Sequence, residues 1–212
     1  MTIQSVRPRP TQGPGNDSVP VRLPGGDVVE LRPLRRGDHE TLLDVLAGMS
    51  PESRASRYLT GIVRLPSTML RALADVDGRR HVAWVAWLHG RPVGIARSVL
   101  EAPGVAEVAV EVVDDHQRLG IASALVDAVT TIAAANGVRR VRATTTPDNV
   151  PSWRLMSRIG VRLHLVDGLL EGEGPLRLLD PPRVARRDVV ALALRTAGEP
   201  PDARRVPRDA LS

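Results

Sequence analysis

The residues best suited to chemistry lie together between Val105 and Ala124, in the run VAEVAVEVVDDHQRLGIASA. An alternating apolar stretch ends in Asp114 and Asp115, and Gln117-Arg118-Leu119-Gly120-Ile121-Ala122 then leads into a helical pattern. This reads as a strand, a tight loop and a helix N-terminus. The first turn of a helix presents backbone N–H groups without acceptors and about half a positive charge. A pyrophosphate placed there gains several hydrogen bonds without any lysine. Gly120 permits a close backbone approach, Ala122 keeps the entrance open, and Ser123 adds a hydroxyl donor. The loop is not a Walker motif, because Gly-Lys-Ser/Thr is missing, nor the three-glycine dinucleotide fingerprint. Glu107 and Glu111 share one face of the strand, roughly 13 Å apart at ~3.3 Å per residue, too far for a close carboxylate pair. The 5 histidines, His116 beside the loop among them, show no metal-ligand spacing, and no metal is expected.

This strand and helix need a sheet to hold them. Residues 27–33 read as an edge strand, 36–47 as a helix, and Ser50-Pro51-Glu52-Ser53 as the entry to a short helix toward Tyr58. A helix is expected over 67–74 and a hairpin over 81–88 and 92–100 across Gly90. After the strand to Val113, the helix 120–135 places Ile121, Leu125, Val129 and Ile132 on one stripe, with Ser123, Asp127 and Thr130 off it. It stops at Asn136-Gly137. A strand over 138–144, a helix over 149–158, a strand-like stretch over 161–170, a Gly- and Pro-rich loop and a last strand over 188–194 complete the order. Strands alternate with helices, so the fold class is mixed α/β. One domain over 27–197 is expected between disordered tails at 1–26 and 198–212.

The 212 residues are 42% hydrophobic, enough for one sizeable core. With no cysteine, no signal-peptide pattern and no apolar run near ~18 residues, a reducing, cytoplasmic setting without membrane insertion is expected. All 29 basic residues are arginine and the net charge is +5. The arginine pairs are scattered and not interleaved with aromatics, which points to solvated surface rather than a nucleic-acid face.

The run AEVAVEVVDDHQRLGIASALV resembles motif A of the GNAT family of N-acetyltransferases. That family shows an Ala-Glu-bearing strand, then Gln/Arg-x-x-Gly-x-Gly/Ala, then a helix. VVELRPLRRGDHETL is similar to its first strand and helix, GRPVGIARSV to its Gly-x-x-Val-Gly strand, and DNVPSWRLMSRIGV to its Asn-to-Gly-Phe helix. MSPESRASRY resembles a segment of the bacterial protein-lysine acetyltransferase branch. The resemblance covers 27–197 and implies the GNAT fold, a mixed, largely antiparallel sheet of about seven strands flanked by helices. It also implies acetyl-CoA as cosubstrate. Gln117 would open the motif, and the backbone from Arg118 through Leu119, Gly120, Ile121 and Ala122 to Ser123 would grip the pyrophosphate. Val112 and Val113 would pair their main chain with the pantetheine arm, beside a bulge that splays this strand from the next. Asn149 would contact the coenzyme.

Transfer from a thioester to an amine of pKa near ~10.4 needs the neutral amine, hence a general base. Glu107 matches the family's strand glutamate and is the first candidate, with Glu111 second. The family's proton-donating tyrosine is replaced by Met156, and its Phe after the glycine by Val161. Water could supply the proton, or the thiolate could leave unprotonated. Tyr58 and Trp153 are read as packing residues. The acceptor, a protein lysine or a small-molecule amine, would be set by 50–74 and 170–187, in a monomer or homodimer. The competing possibility is a non-catalytic acyl-CoA-binding or sensor domain. Composition carries a prediction of its own. Without lysine, incubation with acetyl-CoA adds no acetyl group to any side-chain amine of this chain, and only the N-terminus can react. Intact mass showing several acetyl groups on nitrogen would contradict it.

Overall fold

The computed structural model describes residues 17–58 and 65–197. The elements are β1 (Val19–Arg22), β2 (Val28–Pro33), α1 (His39–Ala47), α2 (Pro51–Tyr58), α3 (Ser67–Ala74), β3 (His81–Leu88), β4 (Arg91–Ala102), β5 (Val105–Val112), a 3₁₀ turn (Asp114–His116), α4 (Ile121–Ala135), β6 (Arg140–Thr145), α5 (Val150–Arg158), β7 (Arg162–Val166), β8 (Leu169–Pro175) and α6 (Arg186–Thr196). Eight strands form one sheet in the order β1-β2-β3-β4-β5-β6-β8-β7. Every pairing is antiparallel except β5 with β6. No helix among the described residues is long and apolar enough to cross a membrane.

The sheet separates two cores. Alternate residues of β3, Val82, Trp84, Ala86 and Leu88, point to the side of α4, while Ala83 and Val85 point to α1 and α3. The two tryptophans divide accordingly. Trp84 is buried on the α4 side, and Trp87 packs on the other face under the Arg32 guanidinium, 5.5 Å from its ring centre.

Four sequence expectations are corrected. The strand β1 lies inside the stretch 1–26 read as tail; its Val19 and Val21, with Leu23 beyond, are buried, and Pro20 is tolerated because the strand is an edge. Residues 1–16 and 198–212, the remainder of the expected tails, lie outside the described residues. The Gly- and Pro-rich stretch expected as loop after 170 is strand as far as Pro175, within β8, and the sheet has eight strands among the described residues where about seven were expected. Its glycines are a packing necessity: a Cβ on Gly172 would come within 2.0 Å of the Arg162 carbonyl oxygen, and one on Gly174 within 1.8 Å of the Gly160 oxygen. The expected strand 188–194 is the helix α6, burying Val189 and Leu192 at helical spacing. Finally, Asp127 and Thr130 lie off the apolar stripe of α4, yet they do not face solvent. Both are fully buried, because α6 and the loop before it cover the back of α4.

Asp127 fixes that cover. Its carboxylate accepts from the backbone N–H of Arg183 (2.5 Å) and of Val184 (3.2 Å), and from Arg186 Nε (3.1 Å) and Nη2 (2.8 Å). Arg186 also donates to the Leu179 carbonyl. A fully buried carboxylate with four donors is stable only as a complete set. Asp127→Ala should therefore cost roughly 3–5 kcal/mol, read as a lower midpoint in urea unfolding, and an unchanged midpoint would show that the set does not hold α6 in place.

Candidate active site

The site is built where β5 loses a neighbour. On one side β5 pairs with β4 in unbroken register from Val112 opposite Gly94 to Ala106 opposite Leu100. On the other it pairs with β6 through only Val105–Arg140, Ala106–Val141 and Glu107–Arg142. Past Glu107 the strands part, while β6 stays paired with β8 out to Thr145 opposite Leu170. Val113 donates to the Val93 carbonyl at 2.9 Å, on the β4 side. Strand alternation therefore turns the main-chain groups of Val108, Val110 and Val112 into the fork. The bulge expected in this strand is not there. The register shift of this ladder falls at Leu100/Ala102, so the fork opens by divergence alone.

At the fork's mouth the chain turns into α4. Arg118 (φ 62°) and Gly120 (φ 96°) are both left-handed, and Gly120 is the N-terminal cap position of α4. No side chain caps this helix, which leaves its first N–H groups for a ligand. Ile121 is buried, so only its main chain can take part; Arg118 and Leu119 are exposed, and Ala122 and Ser123 half-buried. A Cβ on Gly120 would stand 3.2 Å from Pro24, in the β1–β2 turn. The Gln117 amide, at the opening of the motif, donates to the Val112 carbonyl (3.2 Å) and to Asp114 (3.0 Å), clamping the loop to β5. Val113, expected with Val112 along the pantetheine arm, has its N–H bonded to the Val93 carbonyl, and its own carbonyl accepts from the His116 backbone N–H at 2.9 Å.

Helix α2 closes one side of the fork. Ser50 caps it through Ser53 N–H (3.1 Å), and the Ser50 amide donates to the Asp114 carboxylate (2.9 Å). Burial alone would raise the Asp114 carboxyl, but hydrogen bonds from Ser53 and Ser50, with Arg54 nearby, hold it below its ordinary range. Asp114 is thus more than a strand terminator, since it ties α2 to the loop. At the other end of α2, Ser56 Oγ lies 3.1 Å from Thr146 Oγ1 and accepts from Asn149 Nδ2 at 3.1 Å. Asn149 also caps α5 by accepting from Ser152 N–H (3.2 Å). It sits across the fork, with its side chain engaged in holding α2 to α5.

The two glutamates have different surroundings. Glu111 is 5% exposed and ion-paired with Arg57 (2.7 Å) and Arg97 (3.7 Å), and Tyr58 donates its hydroxyl to it at 3.2 Å. Burial and the Glu111 charge push the Tyr58 hydroxyl well above its ordinary range, so it stays a phenol. This cluster was not anticipated. Its one signal in the sequence is Arg97, which shares strand parity with buried Ile95. Glu107 stands outside the cluster, half-buried at the point where the fork opens. Burial and then Glu101 push its carboxyl above the ordinary range, while Arg57 and Arg97 pull the other way. Met156, at the expected acid position, is buried and offers no proton.

A family model described as "Acetyltransferase (GNAT) family" matches residues 52–161. The chain belongs to the GNAT acetyltransferases. An acetyltransferase of Pseudomonas aeruginosa is 34% identical over 124 residues, covering 56% of this chain and 67% of that protein. Acetyltransferase Pat of Mycolicibacterium smegmatis is 35% identical over 147 residues, covering 67% of this chain. This chain spans 44% of the length of Pat. Among solved structures, the GNAT domain of S. lividans PAT superposes with a TM-score of 0.69 at 26% identity, covering 75% of this chain and 97% of that one. A cAMP-binding acyltransferase from Mycobacterium smegmatis gives 0.61 at 26% identity, over 86% of this chain and 56% of that one. GNAT membership makes the chain an acyltransferase and accounts for the mixed, mostly antiparallel sheet.

Gly120 gives the site its test. Alanine there would hold a left-handed conformation at a cost of about 1–2 kcal/mol, against Pro24 as well. Gly120→Ala should weaken coenzyme A binding about tenfold by titration calorimetry, and an unchanged Kd would show that this turn does not shape the site.

Proposed function

We propose that the protein transfers an acetyl group from acetyl-CoA to a primary amine, on a protein lysine or a small molecule. The observation that carries this is the fork ending at Glu107, set beside the uncapped N-terminus of α4. In this reading the main chain from Arg118 to Ser123 holds the pyrophosphate. The pantetheine arm runs along the fork and pairs with Val110 and the Val112 N–H, as an added strand would. A main-chain N–H in the fork polarises the thioester carbonyl, worth several kcal/mol when preorganised. Asn149 lies across the fork from β5, where its role is to hold the second wall.

The amine attacks from the side of α2 and α3, the sheet face that carries Glu107. Glu107 takes the amine's proton, directly or through a water. The tetrahedral adduct then collapses by breaking the carbon–sulfur bond. The leaving thiolate needs no acid from the protein, because a thiol with a pKa near ~8.5 leaves as the anion or is protonated by water. Glu111 is poorly suited to be the base, since its carboxylate already holds two arginines and a phenol.

Glu107→Gln should lower kcat about 10²- to 10⁴-fold and leave coenzyme affinity unchanged. A base must be ionised to act, and the Glu107 carboxyl is raised by burial and Glu101. Activity should therefore fall as pH drops through a midpoint above the usual carboxylate range, and this limb should vanish in Glu107→Gln. Coenzyme binding with no thiol release for any amine or protein acceptor would instead support a binding domain without catalysis.

A further inference from the structure

Two arginines stand between two glutamates on the acceptor face of the sheet. Glu107, Ala109 and Glu111 share that face of β5, and Arg97 on β4 lies opposite Ala109. Arg97 is therefore a diagonal neighbour of both acids. Its buried side chain turns to Glu111: Nη2 lies 3.7 Å from that carboxylate, and Nη1 donates to the Leu73 carbonyl at 3.1 Å. Arg57 comes down from the last turn of α2 and also takes Glu111, at 2.7 Å.

We propose that Glu111 is a positioning residue for acyl transfer. By holding Arg57 and Arg97 to itself, it keeps both guanidiniums from neutralising Glu107, which stays basic enough to accept the amine's proton. This rests on Glu107 being the base. The charged groups facing Glu107 are Glu101 and Arg97 from β4, Arg57 from α2 and its register partner Arg142 from β6. Arg142 is already bound to Glu101 (3.2 Å) and Glu173 (2.5 Å). His81 on β3 lies 3.4 Å from Arg97, on the side away from Glu111. Arg57 and Arg97 are thus the cations whose division between the two glutamates matters, and Glu111 takes both. Without the Glu111 charge their field falls on Glu107, and Arg57, 19% exposed on its side chain, can swing to it. Glu107 would then bind a proton less readily and be a poorer base.

Carbon-13 NMR titration of the Glu107 carboxyl in the full chain tests this, with the signal assigned by its loss in Glu107→Gln. In Glu111→Gln the Glu107 midpoint should fall by about one pH unit, and in Arg57→Gln it should rise. The acid limb of kcat/KM against pH should move in the same two directions. An unmoved or raised midpoint in Glu111→Gln, or a lowered one in Arg57→Gln, overturns the proposal. If Glu111→Gln does not fold, Arg57→Gln, at a helix end, carries the test. Full turnover by Glu107→Gln would sink the base assignment while leaving both NMR shifts in place, so the two failures are told apart.

Discussion

The structure depends on one interrupted pairing. β5 could continue beside β6 past Glu107, and it does not. β4 holds β5 over its whole length, and β8 holds β6 through six residue pairs, so neither strand can move to close the gap. The main-chain groups of Val108, Val110 and Val112 are thereby left without strand partners in the middle of a sheet. Backbone groups in such a place need a partner, from protein, water or ligand. In the proposed function a thioester cofactor with an amide-bearing arm would meet that need, and its reactive carbonyl would lie near the point where the strands part. On that proposal the fork is the binding slot, and Glu107, the candidate base, stands where it opens.

The rest of the fold keeps the walls of the fork fixed. The N-terminus of α4 must stay at the mouth, and α4 is buried on both sides, by the sheet in front and by α6 behind. Asp127 locks the segment before α6 onto it. The second wall is α2, pinned near the mouth by Asp114 and Ser50 and at the other end by the contacts among Ser56, Thr146 and Asn149. These side chains do no chemistry in the proposed reaction. They set distances, and a base or an amide donor displaced by an ångström loses much of its effect.

What could be read from the sequence was local. The strand–loop–helix from Val105 to Ala135 was legible because its signals, alternation, Gly120 and the helical stripe, lie within one segment. The helix 67–74 and the hairpin across Gly90 were legible for the same reason. The features that were missed depend on partners far along the chain. The apolar DVVALAL segment reads as a strand until α4 is present to receive Val189 and Leu192. Gly172 and Gly174 look like loop residues until β7 and Gly160 press against them. Asp127 looks like a surface acid because the donors it meets are 56 to 59 residues away. Glu107 and Glu111 are alike in sequence, and the arginines that distinguish them come from β4 and α2. Val113 reads like Val112 in sequence, but its N–H goes to Val93 on β4 and its carbonyl to the His116 N–H, contacts that strand periodicity alone does not give.

The most direct test of the fork as the donor site is amide hydrogen exchange with and without coenzyme A. Binding should slow exchange at Val108, Val110, Val112 and the amides from Arg118 to Ser123, and leave Val113, already bonded to Val93, unchanged. Protection that falls elsewhere, with the fork amides exchanging as before, would contradict the account.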